Sequence, residues 1–133
     1  MNGDSHVPGP DLALEIIVRI LVWLARDGER QAAMLGRGRL PVDELALEYD
    51  GALATLWVLK EARTLSPGVI GELERLDRRL EAMSGEENAR LWTPAALGEA
   101  AEWAAVRELA REALAGVERE TGIRGEAVAR ESI

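Results

Sequence analysis

Four stretches of the 133-residue chain repeat apolar residues at the three- and four-residue spacing of a helix face, and Gly, Pro, Ser or Thr punctuate the gaps between them. The first stretch, Leu12 to Ala25, is apolar almost all round. Leu12, Ile16, Ile20, Trp23 and Leu24 make one face, while Leu14, Ile17, Val18, Leu21 and Val22 cover much of the remainder. A helix without a polar side has to be enclosed on several sides. The first helix, from Pro10 to about Arg26, is therefore expected to be the hub of a bundle or the seam of a dimer. Gly9-Pro10-Asp11 suits its start, because proline at the first helical position gives up an N–H that had no partner. Glu15 and Arg19 interrupt the run four residues apart, where they can pair. At about 14 residues the run is shorter than the ~20 a membrane span needs.

Residues 27–40 are only weakly periodic, with Gly36 and Gly38 as breakers; they either continue the first helix through a kink or form a short piece of their own. A second long helix is expected from Pro41–Asp43 to about Leu65. Its stripe is Leu45, Tyr49, Ala52, Leu56 and Leu59, widened by Leu53 and Trp57, and Gly51 is a candidate for close helix approach. Ser66-Pro67 restarts the chain as N-cap and first turn. The third helix, about 67–83, carries the heptad-like seam Val69, Leu73, Leu76, Leu80 and Met83. Thr93-Pro94 repeats the cap-plus-proline device and opens a fourth helix to about Glu120. Its stripe is Trp103, Val106, Ala110, Ala113 and Val117, and Thr121-Gly122 closes it.

Neither strand-like alternation nor a 20–50-residue repeat is visible. The expected architecture is all-α: one compact bundle of about four to five helices over residues 10–122, a disordered N-terminal arm over 1–9 and a frayed tail over 123–133. A dimer sealed by the first helix is the alternative assembly.

Composition then narrows the chemistry. There is no Cys, and His6 is the only histidine, which removes thiol nucleophiles, zinc–thiolate sites, disulfides and histidine clusters. Carboxylates, Tyr49, Lys60 or a bound metal remain. All-helical nucleotide pyrophosphohydrolases hold Mg²⁺ through acidic pairs three residues apart on neighbouring helices. Glu74/Asp77 and Glu99/Glu102 have that spacing, but neither is followed by a second pair on a helix expected to face it. The Glu-x-x-His motif of di-iron bundles and the glycine-rich phosphate loops are absent. The chain is expected to be non-catalytic, with no metal and no cofactor.

The formal net charge is -8, and its excess falls after residue 40. That balance disfavours phosphate backbones and favours a basic protein partner. A helix-turn-helix reading of residues 43–63 fails on its own residues, since the supposed recognition helix offers Ala, Leu, Trp and Val to base edges that need Arg, Lys, Asn or Gln. The start MNGDSHVPGPD has no secretory pattern, so a cytoplasmic location is expected, away from nucleic acid and membrane. Four tryptophans remain to be placed. Trp23, Trp57 and Trp103 are expected in the core. Trp92, beside Leu91 and just after Glu86 and Glu87, is either a hydrophobic staple on the following helix or an anchor for a partner.

The candidate partner-binding residues are therefore Asp43, Glu44, Glu48, Asp50, Glu86, Glu87, Leu91 and Trp92. A small, acidic, Cys-free helical domain without evident chemistry has the general profile of immunity proteins and antitoxins, which neutralise another protein by binding it. That profile rests on composition and size, with no family motif behind it. A self-associating adaptor bundle is the alternative, and a Mg²⁺-dependent pyrophosphohydrolase ranks below both.

Overall fold

The computed structural model describes residues 9–131; most of the expected N-terminal arm, His6 included, lies outside them. Among the described residues the chain is all helical, with no strand. The elements are α1 (Pro10–Ala25), α2 (Gly28–Gly38), α3 (Asp43–Leu53), α4 (Leu56–Glu61), α5 (Pro67–Ala82), a 3-10 helix (Glu86–Leu91), α6 (Pro94–Glu99), α7 (Ala101–Thr121) and α8 (Gly125–Glu131).

The starts follow local chemistry. The Ser66 hydroxyl accepts from the Val69 N–H (3.3 Å) and the Thr93 hydroxyl from the Ala96 N–H (3.2 Å), each with proline in the first turn. The Asp27 carboxylate does the same for the Arg30 N–H at the head of α2 (2.9 Å). Gly122, at φ 79°, ends α7 in the left-handed conformation glycine adopts without strain.

Helix α1 is the hub. It packs against α3, α4, α7 and α8, and its buried residues Ala13, Leu14, Ile17, Val18, Ile20, Leu21, Val22 and Leu24 point to nearly every side. Leu12 is the exception, half exposed, with Ile16 and Trp23 only partly covered. Burial of this helix also buries the Leu24 carbonyl and partly buries that of Trp23, and these need donors. The Gln31 side chain of α2, 1% exposed, gives its amide N–H groups to the Trp23 and Leu24 carbonyls (3.0 and 3.2 Å). Arg111 of α7 reaches the Ala25 carbonyl (3.0 Å). The α5 and α7 stripes are buried as their spacing predicts, from Val69 to Met83 and from Trp103 to Val117.

Several boundaries differ from expectation. Among the described residues the chain forms eight α-helices where four or five were expected, because both long segments break and Gly28–Gly38 and Gly125–Glu131 are further helices. The segment from residue 43 tightens at Ala54–Thr55, where the Thr55 hydroxyl bonds back to the Ala52 carbonyl (2.7 Å) and competes with the helical ladder. The segment from residue 94 breaks at Ala100, whose backbone is extended, and Arg107 takes up the Leu97 carbonyl this leaves (2.7 Å). Residues 27–40 form a helix of their own. The tail expected to fray includes α8, which docks on α1 through the buried Gly125 and Ala129. Trp57 is half exposed and outside the core, since the break after Leu53 turns Leu56, Val58 and Leu59 inward instead. Gly51 has open space around it; the close approach is at Gly28, where an added Cβ would lie 2.4 Å from the Leu97 carbonyl oxygen of α6.

Four substitutions test this core. Ile20→Ala and Leu76→Ala should each cost ~2–5 kcal/mol in denaturant unfolding. Trp57→Ala should stay within about 0.5 kcal/mol, as surface changes do. Gly28→Ala should cost ~1–3 kcal/mol, because backbone rather than a flexible side chain stands in the way.

Candidate functional site

Asp43, Ala46, Leu47 and Asp50 recur at i, i+3, i+4 and i+7, which puts them on one face of α3, turned away from the buried stripe of Leu45, Tyr49 and Ala52. That face forms one wall of a groove made of two adjoining clefts of about 590 and 190 Å³, which share Ala46, Leu47, Ser84 and Trp92. The opposite wall comes from Asp77, Leu80 and Glu81 of α5 and from Glu86 and Ala89 of the 3-10 helix. Leu47 is 61% exposed, the most exposed large apolar side chain among the described residues. Every charged residue lining the groove is an acid: Asp43, Asp50, Asp77, Glu81 and Glu86.

Three hydrogen bonds hold the walls. Tyr49, fully buried on α3, donates its hydroxyl to the Leu73 carbonyl of α5 at 2.7 Å and so ties the two helices side by side. Burial, with the Asp77 charge adding to it, raises the Tyr49 pKa far above its ordinary value, so the hydroxyl stays a donor. The half-buried Trp92 indole donates to the Met83 carbonyl (2.8 Å) and meets Trp103 edge-on, ring centroids 5.3 Å apart. Trp103 in turn donates to the Leu91 carbonyl (2.6 Å). The ring of Trp92 is thereby fixed with part of its surface in the groove.

The structure brings together some of the expected site and separates the rest. Asp43, Asp50, Glu86 and Trp92 meet in the groove. Glu44 and Glu48 do not; they lie on the opposite flank of α3, where Glu48 lines a small cleft with Ile16, Arg19, Ile20 and Trp23 of α1. Glu87 is exposed but turns back over Gly85 instead of lining the groove. Leu91 is 1% exposed and belongs to the core, so it offers nothing to a partner. Leu47, Asp77 and Glu81 complete the groove without having been singled out for it. The available signal was a leucine standing opposite a buried stripe, between acids one turn away on either side.

The electrostatics show crowding of negative charge. Burial raises the pKa of Asp77, and the carboxylates of Glu81, Asp50 and Glu74 raise it further against a partial opposing effect from Arg78. Glu48 is raised likewise, by burial and by Glu44. Elsewhere carboxylates are held low: Glu102 by its own backbone N–H and by Arg90, Glu120 by the Ser66 hydroxyl and N–H.

The acidic pairs weighed as metal ligands are otherwise engaged. Glu74 receives Lys60 (3.0 Å) and Glu102 receives Arg90 (3.1 Å), and the break at Ala100 puts Glu99 and Glu102 on different helices. Among the described residues no group of three or more His, Asp or Glu side chains is placed to hold a metal ion. No helix among them is long and apolar enough to cross a membrane. Comparison with known proteins finds no match: no family model, no curated protein and no solved structure is similar to this chain.

The raised Asp77 pKa has a definite sign. A carboxylate whose pKa rises on folding destabilises the folded state at neutral pH, and that penalty disappears as pH falls below the ordinary value near ~4. Asp77→Asn should therefore stabilise the protein at pH 7 by about 0.5 kcal/mol, the scale of exposed charge interactions. The gain should vanish near pH 3.5. Urea midpoints of the two proteins at both pH values check it, and a gain that persists in acid contradicts the assignment.

Proposed function

We propose that the chain is a non-catalytic binding protein that captures a basic partner protein in the groove between α3 and α5, in the manner of the inhibitors that neutralise a toxic protein inside the cell. One observation carries the reading: an exposed leucine and a fixed tryptophan face sit in a groove whose charged lining is acidic throughout. Apolar anchors ringed by one sign of charge are the anatomy of a protein-binding surface, where the anchors supply affinity and the charges steer the encounter. A groove walled by two helices suits a third helix, one with an apolar ridge flanked by Lys or Arg. The second reading, a self-associating adaptor, draws its support from a different cleft considered below.

Kinetics with a defined probe test the proposal: a synthetic amphipathic helix with leucines along one ridge and lysines on its flanks. Association should slow steeply as salt rises, because exposed charges are screened over ~8–10 Å. Asp50→Lys with Glu86→Lys should cut the on-rate about tenfold or more, whereas Glu87→Lys should do much less. Leu47→Ala should act mainly on the off-rate. Equal binding of a glutamate-flanked peptide, or indifference to salt and to these substitutions, would overturn the reading.

A further inference from the structure

Helix α5 separates its charges. Asp77 and Glu81 face the acidic groove, while Arg75, Arg78, Arg79 and Ala82, at i, i+3, i+4 and i+7, form a strip on the other flank. That strip and Ala105, Glu108 and Leu109 of α7 line a cleft of about 600 Å³. Its floor of two alanines and a leucine lets another helix come close, since small side chains leave little to hold it off. Among the described residues none of the three arginines has a carboxylate within ion-pair distance. Three guanidinium groups and one carboxylate thus line an open cleft on a chain whose formal charge is -8.

The exposed face of α3 has the complementary pattern. Leu47 stands between Asp43 and Asp50, which are ~10.5 Å apart along the axis at 1.5 Å per residue. Arg75 and Arg79 are ~6 Å apart along α5, and their long side chains can spread to meet carboxylates on either side of a seated leucine. We infer that the occupant of the arginine cleft is the α3 face of a second copy of this chain, with Leu47 on the Ala82–Ala105–Leu109 floor. This rests on the proposed reading of the acidic groove, for which it names one basic surface. The two faces differ, so the contact is heterologous: it leaves an unused face on each terminal copy and does not stop at two.

Sedimentation equilibrium tests this with two variants at exposed positions. R75Q/R78Q blocks the cleft and keeps the α3 face; L47Q/D50N does the reverse. The weight-average mass of the native protein should climb with concentration past twice the 14.5 kDa of one chain. Each variant alone should stay at one chain, and an equimolar mixture should form a pair and nothing larger. Native protein that remains at one chain up to about 1 mM, or R75Q/R78Q that associates as the native protein does, overturns the inference. The lysine-flanked peptide separates the two proposals. If R75Q/R78Q binds it while the native protein stays monomeric, only the second-copy inference fails; if nothing binds the groove, both fail.

Discussion

Everything in this fold is arranged around a helix with no side to spare for water. Because α1 is apolar in nearly every direction, it needs cover from α3, α4, α7 and α8, and cover on that scale takes the Leu24 carbonyl near its end out of solvent as well. An unpaired buried carbonyl costs about 1–3 kcal/mol, so the donors that meet the end of α1 are part of the enclosure. Gln31 meets two carbonyls from the short α2 and Arg111 meets a third from the long α7. Neither donor shows in the hydrophobic pattern, because each is a polar residue at the edge of an apolar contact.

The same enclosure places the groove. With its inner face committed to α1 and to the Tyr49–Leu73 bond with α5, α3 turns Asp43, Leu47 and Asp50 outward. The Trp92–Trp103 contact fixes the far wall, since Trp103 is rooted in the core and orients the ring beside it. The groove is thus framed by core residues; Asp43, Leu47, Asp50 and Glu86 are exposed on it, while Trp92 is also packed against the core.

What the sequence disclosed follows from how each signal is carried. Periodicity found the seams of α5 and α7 because five apolar residues recur along each at helical spacing. It missed the breaks at Thr55 and Ala100, where one hydroxyl or one distant arginine decides whether the helical ladder continues. It missed α8, which docks through Gly125 and Ala129, residues too small to register as an apolar stripe. In the site, adjacency in sequence grouped Asp43, Glu44, Glu48 and Asp50, yet steps of 100° per residue send two of them to each flank of α3. Leu91 and Trp92 were joined for the same reason, and neighbouring positions there lead one into the core and the other to the groove. The closest glycine approach was equally illegible, because the Leu97 carbonyl that crowds Gly28 lies far along the chain.

Two of the partners of α1 also come late in the chain. Arg111 meets the Ala25 carbonyl across 86 residues, and α8 lies farther on still. A ribosome delivers the hub and its early cover, α3 and α4, long before α7 and α8, so a nascent chain carries a half-covered apolar rod until residues past 100 emerge. Contacts this distant slow folding, and exposed apolar surface invites aggregation. The feature that makes the finished domain cohere is therefore its greatest hazard during synthesis, and chaperone demand in the cell should follow the delay between α1 and α7.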